Sequence, residues 1–432
     1  MLSVVLFRKY SRKLKFTKMK KSIFIALIMV LPLISFAQDD KKEESKFKLD
    51  FSGFVKNDFF WDTRQTVAAR EGHFLLWPKS VLGDPDGKDI NDKASFNFLS
   101  IQTRLSLGIS GPDAFGAKIS GKIEGDFFAQ GNLNINLFRL RHAYVKMNWT
   151  NTELMFGQYW IPMFITDCFP GTVSFNTGTP IQPFGRNPQI RFTQKLGKLK
   201  LIAIASSQRD YTSRGADGVT GGYLRNSAIP ELSAQIHFAK EKALVAGIGA
   251  SYKQIVPQIE TGQGYATNES VSSFNSIAFL KVKTSAITFK LEGVYGQNIA
   301  DVLSIGGIAI TDSTDLTRGF VKYSPLSTMS VWAEIHTNGK KVQVGIFGGY
   351  TKNLGSTNDV VGPIYGLGTN IESLYRVSPR IMLNSGKVRF ALEGEYTVAN
   401  YGSSRNIKGV PTDLTAASNM RVLFAVYYFF KK

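Results

Sequence analysis

In residues 116–128, GAKISGKIEGDFF, the residues Ala117, Ile119, Gly121, Ile123, Gly125 and Phe127 alternate with Lys118, Ser120, Lys122, Glu124 and Asp126. Successive side chains of a strand point to opposite faces, so this segment carries one apolar face and one charged face. The same period of two recurs in residues 49–61, 99–109, 232–238 and 388–398. A chain built of such segments needs two different surroundings at once.

The connections between the segments fall into two classes. Short links lie at 110–115, 149–153, 196–198, 239–243, 283–286, 337–340 and 384–387. Longer ones lie near 63–93, 130–134, 161–188, 208–230, 257–272, 299–317, 352–370 and 400–418. Strict alternation of the two classes connects sixteen strands, provided that 318–336 is one strand bent at Pro325, a residue tolerated at bulges. The pattern predicts an all-β fold: a closed antiparallel transmembrane β-barrel of 16 strands, with 18 as the alternative count, short periplasmic turns and long extracellular loops. Lipid offers backbone polar groups no partner, so a spanning sheet must close on itself. The apolar face then meets lipid and the charged face lines a wet lumen. A soluble sandwich would carry the charged faces outside and would not produce two classes of connection.

From Met19 the chain reads MKKSIFIALIMVLPLISFAQ: a basic start, an apolar run over 23–34, and Ser35-Phe36-Ala37 as a small-x-small cleavage site. Residues 1–37 are therefore read as a removed targeting segment, with Met19 an alternative start. Residues 38–46 are a short charged periplasmic tether and 47–430 the barrel. Removing a segment with eight basic residues and no acid lowers the formal charge from +19 to +11 over 395 residues. No basic run with interleaved aromatics follows residue 37, so nucleic acid is not an expected partner. The single cysteine, Cys168, allows no internal disulfide and no Cys-ligated metal site. His73, His142, His237 and His336 sit on separate strands or loops with no nucleophile beside them, which speaks against an enzyme. The stretch DPDGKD at 84–89 lacks the later bidentate Glu of a calcium loop. No cofactor is expected.

Met420, Val422, Phe424, Val426, Tyr428 and Phe430 alternate to the end of the chain. This ending, over 419–430, resembles the carboxy-terminal signal that outer-membrane barrels present to the barrel-assembly machinery. The segment FRLRHAYVKMNWTNTELMFGQYWIPMF (138–164), following TRLSLGISGPDAFGAKISGKIEGDF (103–127), resembles the phosphate-selective and DcaP-like porins. The shared features are an arginine-bearing strand with Arg139, Arg141, Ala143 and Tyr144, a short turn, and a strand bearing Gly157 and Gln158. The resemblance covers about residues 95–195. It implies a trimeric sixteen-stranded porin of a Gram-negative outer membrane that admits small anions such as phosphate or dicarboxylates. It also implies that the link after the fifth strand, 161–188, folds inward as a constriction; its charges are Asp167 and Arg186.

The facing wall follows from the alternation. Arg104, Lys118, Lys122, Arg191 and Lys195 fall on polar faces, against Glu124 and Asp126. Arg139 and Arg141 share a face, yet Ala143, Val145 and Met147 continue in the same register, which requires a bulge or a crowded interior there. Later strands add Lys290, Arg376, Arg380, Arg389 and Arg421 against Glu292, Glu334, Glu393 and Glu395. Cations exceed anions, so a weak anion preference is expected. The sequence thus reads as a passive channel for small hydrophilic solutes, surrounded by lipid and by two further copies of itself. Its rivals are a barrel adhesin or scaffold with a closed lumen, and a transporter of hydrophobic compounds. The latter needs an amino-terminal plug, and only nine residues, 38–46, precede the first strand.

Overall fold

The computed structural model describes residues 47–241 and 243–431. The targeting segment 1–37 and the tether 38–46 lie outside the described residues. The alternating segments form sixteen wall strands. The first four are β1 (Lys48–Asp62), β2 in two pieces (Ser95–Leu99 and Arg104–Ser110), β3 (Lys118–Asp126) and β4 (Arg139–Asn148). Next come β5 (Thr152–Trp160), β6 (Arg186–Leu196), β7 (Leu199–Ser206) and β8 (Glu231–Lys240). They are followed by β9 (Leu244–Ile255), β10 (Val271–Lys283), β11 (Ile287–Gln297) and β12 (Phe320–Thr337). The wall ends with β13 (Val342–Ser356), β14 (Ile371–Ser385), β15 (Val388–Arg405) and β16 (Pro411–Phe430). Each pairs antiparallel with its neighbour in sequence, and β16 returns to β1 from Gly53↔Phe430 to Asp62↔Arg421. The sheet is closed, which leaves no edge for lipid to meet. Among the described residues no helix is long and apolar enough to cross a membrane.

Pro325 lies inside β12, as the count of sixteen requires. A further strand from Gly306 to Asp315, in the loop between β11 and β12, pairs with the first part of β12 as far as Ile308↔Pro325. β11 takes over at Gln297↔Ser327. The proline thus sits where one partner is exchanged for the other, a position at which a missing N–H costs the ladder little.

The register of β4 resolves the conflict in its pattern. Gly125 of β3 faces Leu140 and Glu124 faces His142, so Arg141 is an extra residue without a partner. Such a bulge inverts the parity of everything beyond it. Arg139 and Arg141 are 5% and 2% exposed, both inward, and Val145 then points outward, 41% exposed.

Three extracellular connections turn into the barrel and bring their own apolar side chains. Phe74, Leu76 and Trp77 come from the loop between β1 and β2, and Phe164, Phe175, Ile181 and Phe184 from the loop between β5 and β6. Ile299, Val302 and Leu303 follow β11. With Phe128, Trp332 and Phe347 they form a buried apolar layer across a lumen whose wall is otherwise polar. Burying each such side chain contributes about 1.5–3 kcal/mol, enough to hold a loop against its chain entropy.

Candidate functional site at the neck of the barrel

Residues 161–185 enter the lumen, and Arg186 already opens β6, so the inward segment is three residues shorter than the sequence pattern suggests. Charged side chains of the wall hold its backbone. Lys290 Nζ donates to the carbonyl of Phe169 at 2.8 Å, and Glu334 accepts from the N–H of Gly171. Glu393 accepts from the N–H groups of Val173 at 2.6 Å and Ser174 at 3.0 Å. Lys56 Nζ donates to the carbonyl of Val173 at 2.9 Å. Arg376 donates to the carbonyl of Thr179 at 2.6 Å and, from its other terminal nitrogen, to the carbonyl of Leu76 at 2.5 Å. One guanidinium therefore joins both inward loops to the wall.

The opposite side of the neck is an ion cluster. Arg139 Nε meets Asp126 at 2.7 Å, and Arg141 meets Glu124 and Asp126, each at 2.8 Å. Arg186 Nη2 meets Asp210 at 2.6 Å, and Lys122 meets Glu124 at 2.8 Å. Arg104 stands 3.7 Å from Glu124. Three carboxylates thus serve five cations, and Arg70 joins them by donating to the carbonyls of Phe128 at 3.0 Å and Ala129 at 3.2 Å. The guanidiniums also lie over rings: Arg139 over Phe128 and Arg186 over Trp160, both at 4.9 Å. Arg104 Nε, Arg139 Nη1 and Arg186 Nη1 are buried donors with no hydrogen-bond partner. Burial opposes ionisation of Asp210, but Arg186 and Arg139 outweigh it and hold this carboxyl below its ordinary value.

Cavities flank this layer. An inner one of about 390 Å³ is lined by Arg104, Lys122, Glu124, Arg141 and residues 169–175. An outer one of about 400 Å³ is lined by Arg209, Asp210, Tyr211, Arg214 and Arg225. They share no lining residue, and Phe128 stacked on Phe175, with ring centroids 4.0 Å apart, stands in the layer between them.

No family model and no curated protein matches the chain. Solved structures do. The outer membrane channel DcaP of Acinetobacter baumannii superposes with a TM-score of 0.66 at 18% identity, over 89% of this chain and 97% of that one. The anion-selective porin from Comamonas acidovorans gives 0.53 at 10% identity, over 89% and 100%. The trimer form of OmpT of Vibrio cholerae gives 0.54 at 9% identity, over 89% and 99%. The fold is that of an outer-membrane porin. A closed barrel of sixteen strands with an apolar exterior is built for the outer membrane of a Gram-negative bacterium.

In this porin barrel, Arg104, Lys122, Glu124, Asp126, Arg139, Arg141 and Arg186 come together at the neck. Arg191 stays apart on the luminal face of β6, donating to Gln189 at 3.1 Å. Lys118 and Lys195 are exposed at the periplasmic ends of β3 and β6, and Asp167 is exposed on the inward loop. Of the later-strand charges, Arg380 pairs with Glu334 at 2.6 Å, Arg376 with Glu395 at 3.0 Å and Arg421 with Asp62 at 2.6 Å. These pairs fix loops to wall, and Arg380 keeps Nε and Nη1 buried without a hydrogen-bond partner. Sequence reasoning missed Arg70 and Asp210, which arrive on loops where no period signals orientation. Cys168 is packed against the carbonyl of Leu280, and burial pushes its thiol up to about 12.

Proposed function

We propose that the protein is a passive outer-membrane channel for small hydrophilic solutes, with a weak preference for anions such as phosphate or dicarboxylates. One observation carries the preference: buried guanidinium N–H groups of Arg104, Arg139 and Arg186 without hydrogen-bond partners, in a neck where five cations face three carboxylates. Unsatisfied donors in a low-dielectric constriction favour a solute that brings acceptors and negative charge. A homotrimer is part of the proposal, as is insertion by the barrel-assembly machinery through residues 419–430. No catalytic step belongs to it.

Single-channel recording in a planar bilayer under a KCl gradient tests the reading. The expected result is a chloride-selective reversal potential, current steps closing in threes, block by added phosphate or succinate, and loss of selectivity in Arg139→Gln and Arg186→Gln. A folded barrel that passes no current would overturn the channel. It would leave the closed scaffold in front, a reading favoured by the apolar layer between the two cavities.

A further inference from the structure

The extracellular loop between β7 and β8, residues 207–230, is bonded to its neighbours along its length. Gln208 fixes its start: Nε2 donates to Ser213 Oγ at 3.0 Å and to Asp301 at 2.7 Å, and Oε1 accepts from the Ser213 N–H at 3.1 Å. The Arg209 N–H donates to Asn187 Oδ1 at the top of β6 at 2.8 Å. A short hairpin then pairs Arg214 with Val219. Tyr223, which is buried, donates its hydroxyl to the carbonyl of Gly218 at 3.2 Å, and its own carbonyl accepts from the N–H of Val256 at 2.9 Å. The side chains this loop presents are therefore held on a backbone with a set path.

Arg209, Arg214 and Arg225 of this loop line the outer cavity of about 400 Å³. Among the described residues none of the three guanidiniums has an ion pair or a hydrogen bond, and burial lowers the pKa of Arg214 with no acid to offset it. Asp210, the one acid in the lining, is already engaged by Arg186 at 2.6 Å and Arg139 at 3.8 Å. We propose that this cavity captures phosphomonoesters with a hydroxylated body, of the sugar phosphate class. Three free guanidiniums call for an anion with more than one negative charge, and a phosphomonoester brings three acceptor oxygens and about −1.5 to −2 charge, where a carboxylate brings two oxygens and one charge. Pockets of about 300–1,000 Å³ hold organic molecules, so the space exceeds the need of a bare ion. Gln130, Thr212 and Thr220 supply amide and hydroxyl groups for the body, and Thr220 Oγ1, which accepts from the Gly222 N–H at 3.0 Å, keeps its proton to donate. The inference rests on the channel reading for its purpose, since a solute held here stands beside Asp210 and hence at the entrance to the neck, but occupancy of the site does not require that the neck conduct.

The test is isothermal titration calorimetry of the folded barrel in non-ionic detergent with glucose 6-phosphate, inorganic phosphate, glucuronate and glucose. Glucose 6-phosphate is expected to bind about tenfold or more tightly than each of the others, because only it combines the phosphate with the body. Arg214→Gln and Arg225→Gln should each weaken it about tenfold or more, and heat-modifiable migration in gels checks that both variants are folded. The comparison of the four ligands needs no variant. Inorganic phosphate binding as tightly as glucose 6-phosphate would overturn the assigned class in favour of a bare-ion site, and glucuronate binding as tightly would overturn the preference for phosphate. Affinity for glucose 6-phosphate unchanged in both variants would place its binding elsewhere in the lumen and overturn the proposal. Bilayer recording separates the two readings: binding to a barrel that passes no current leaves the site standing and removes the channel, whereas a conducting barrel that binds none of the four removes the site alone.

Discussion

Glu393 on β15 accepts hydrogen bonds from the backbone N–H groups of Val173 and Ser174, 220 and 219 positions earlier in the chain. A wall carboxylate thereby sets how far the inward loop reaches into the lumen. Hydrogen bonds to a charged group are worth about 1.5–3 kcal/mol each, and a neutral amide keeps only part of that. Glu393→Gln should therefore raise the population of displaced loop by about tenfold or more. Bilayer recordings should show new, larger conductance substates; dwell times identical to the parent protein would sink the idea that Glu393 holds the loop.

Arg376 couples two loops through the carbonyls of Leu76 and Thr179 and is itself paired with Glu395. Removing one member of a buried pair costs about 3–5 kcal/mol, because the remaining charge is stranded. Arg376→Met should lower the temperature of the heat-modifiable gel shift, and Glu395→Gln added to it should recover part of the loss. A double-mutant cycle with a coupling of about 0.5–3 kcal/mol is the expected outcome; strict additivity would place the two residues in separate roles.

Phe128 and Phe175 stack at 4.0 Å in the layer between the inner and outer cavities. Truncation of a buried phenylalanine costs about 3–5 kcal/mol, and here it also removes bulk between cavities of about 390 and 400 Å³. Phe175→Ala should increase single-channel conductance while lowering thermal stability. If stability falls and conductance does not rise, the solute path runs elsewhere.

Asp210 gives the neck a defined acid response. Burial alone would raise its pKa, but Arg186 and Arg139 bring it below the ordinary 3.8. A carboxyl depressed on folding stabilises the folded neck fully above that value, and the contribution is lost as pH falls through it toward the native value. The stability difference between the parent protein and Asp210→Asn should therefore be constant from pH 8 to about 5 and shrink below about 4. Gel-shift temperatures measured across that range check it, and a gap that widens on acidification would contradict the assigned partners.

The wall was legible in the sequence because period two and turn chemistry are local. All seven short turns could be placed from polar and glycine-bearing links, and even the place of Pro325 inside one strand and the conflict after Arg141 left marks in the pattern. The contents of the lumen were less legible. Phe74 and Trp77 lie in a loop whose apolar run carries no orientation signal, yet they fill the barrel beside Phe128 and Phe175. Charge counting set Arg376, Arg380 and Arg421 against the acids of the later strands as a net excess, and only their spatial neighbours could reveal that each is paired to one acid.

The wall grips the inward loop by peptide groups: the carbonyls of Phe169, Val173 and Thr179 and the N–H groups of Gly171, Val173 and Ser174. Every residue type except proline offers both groups, so these bonds do not depend on which side chains the segment carries, and the buried Phe164, Phe175, Ile181 and Phe184 supply the rest of the hold. Thr172 and Ser174 line the inner cavity on this clamped backbone. The neck is in that sense an interchangeable lining in a fixed frame, and a change of solute preference requires only new side chains on a backbone already clamped in place.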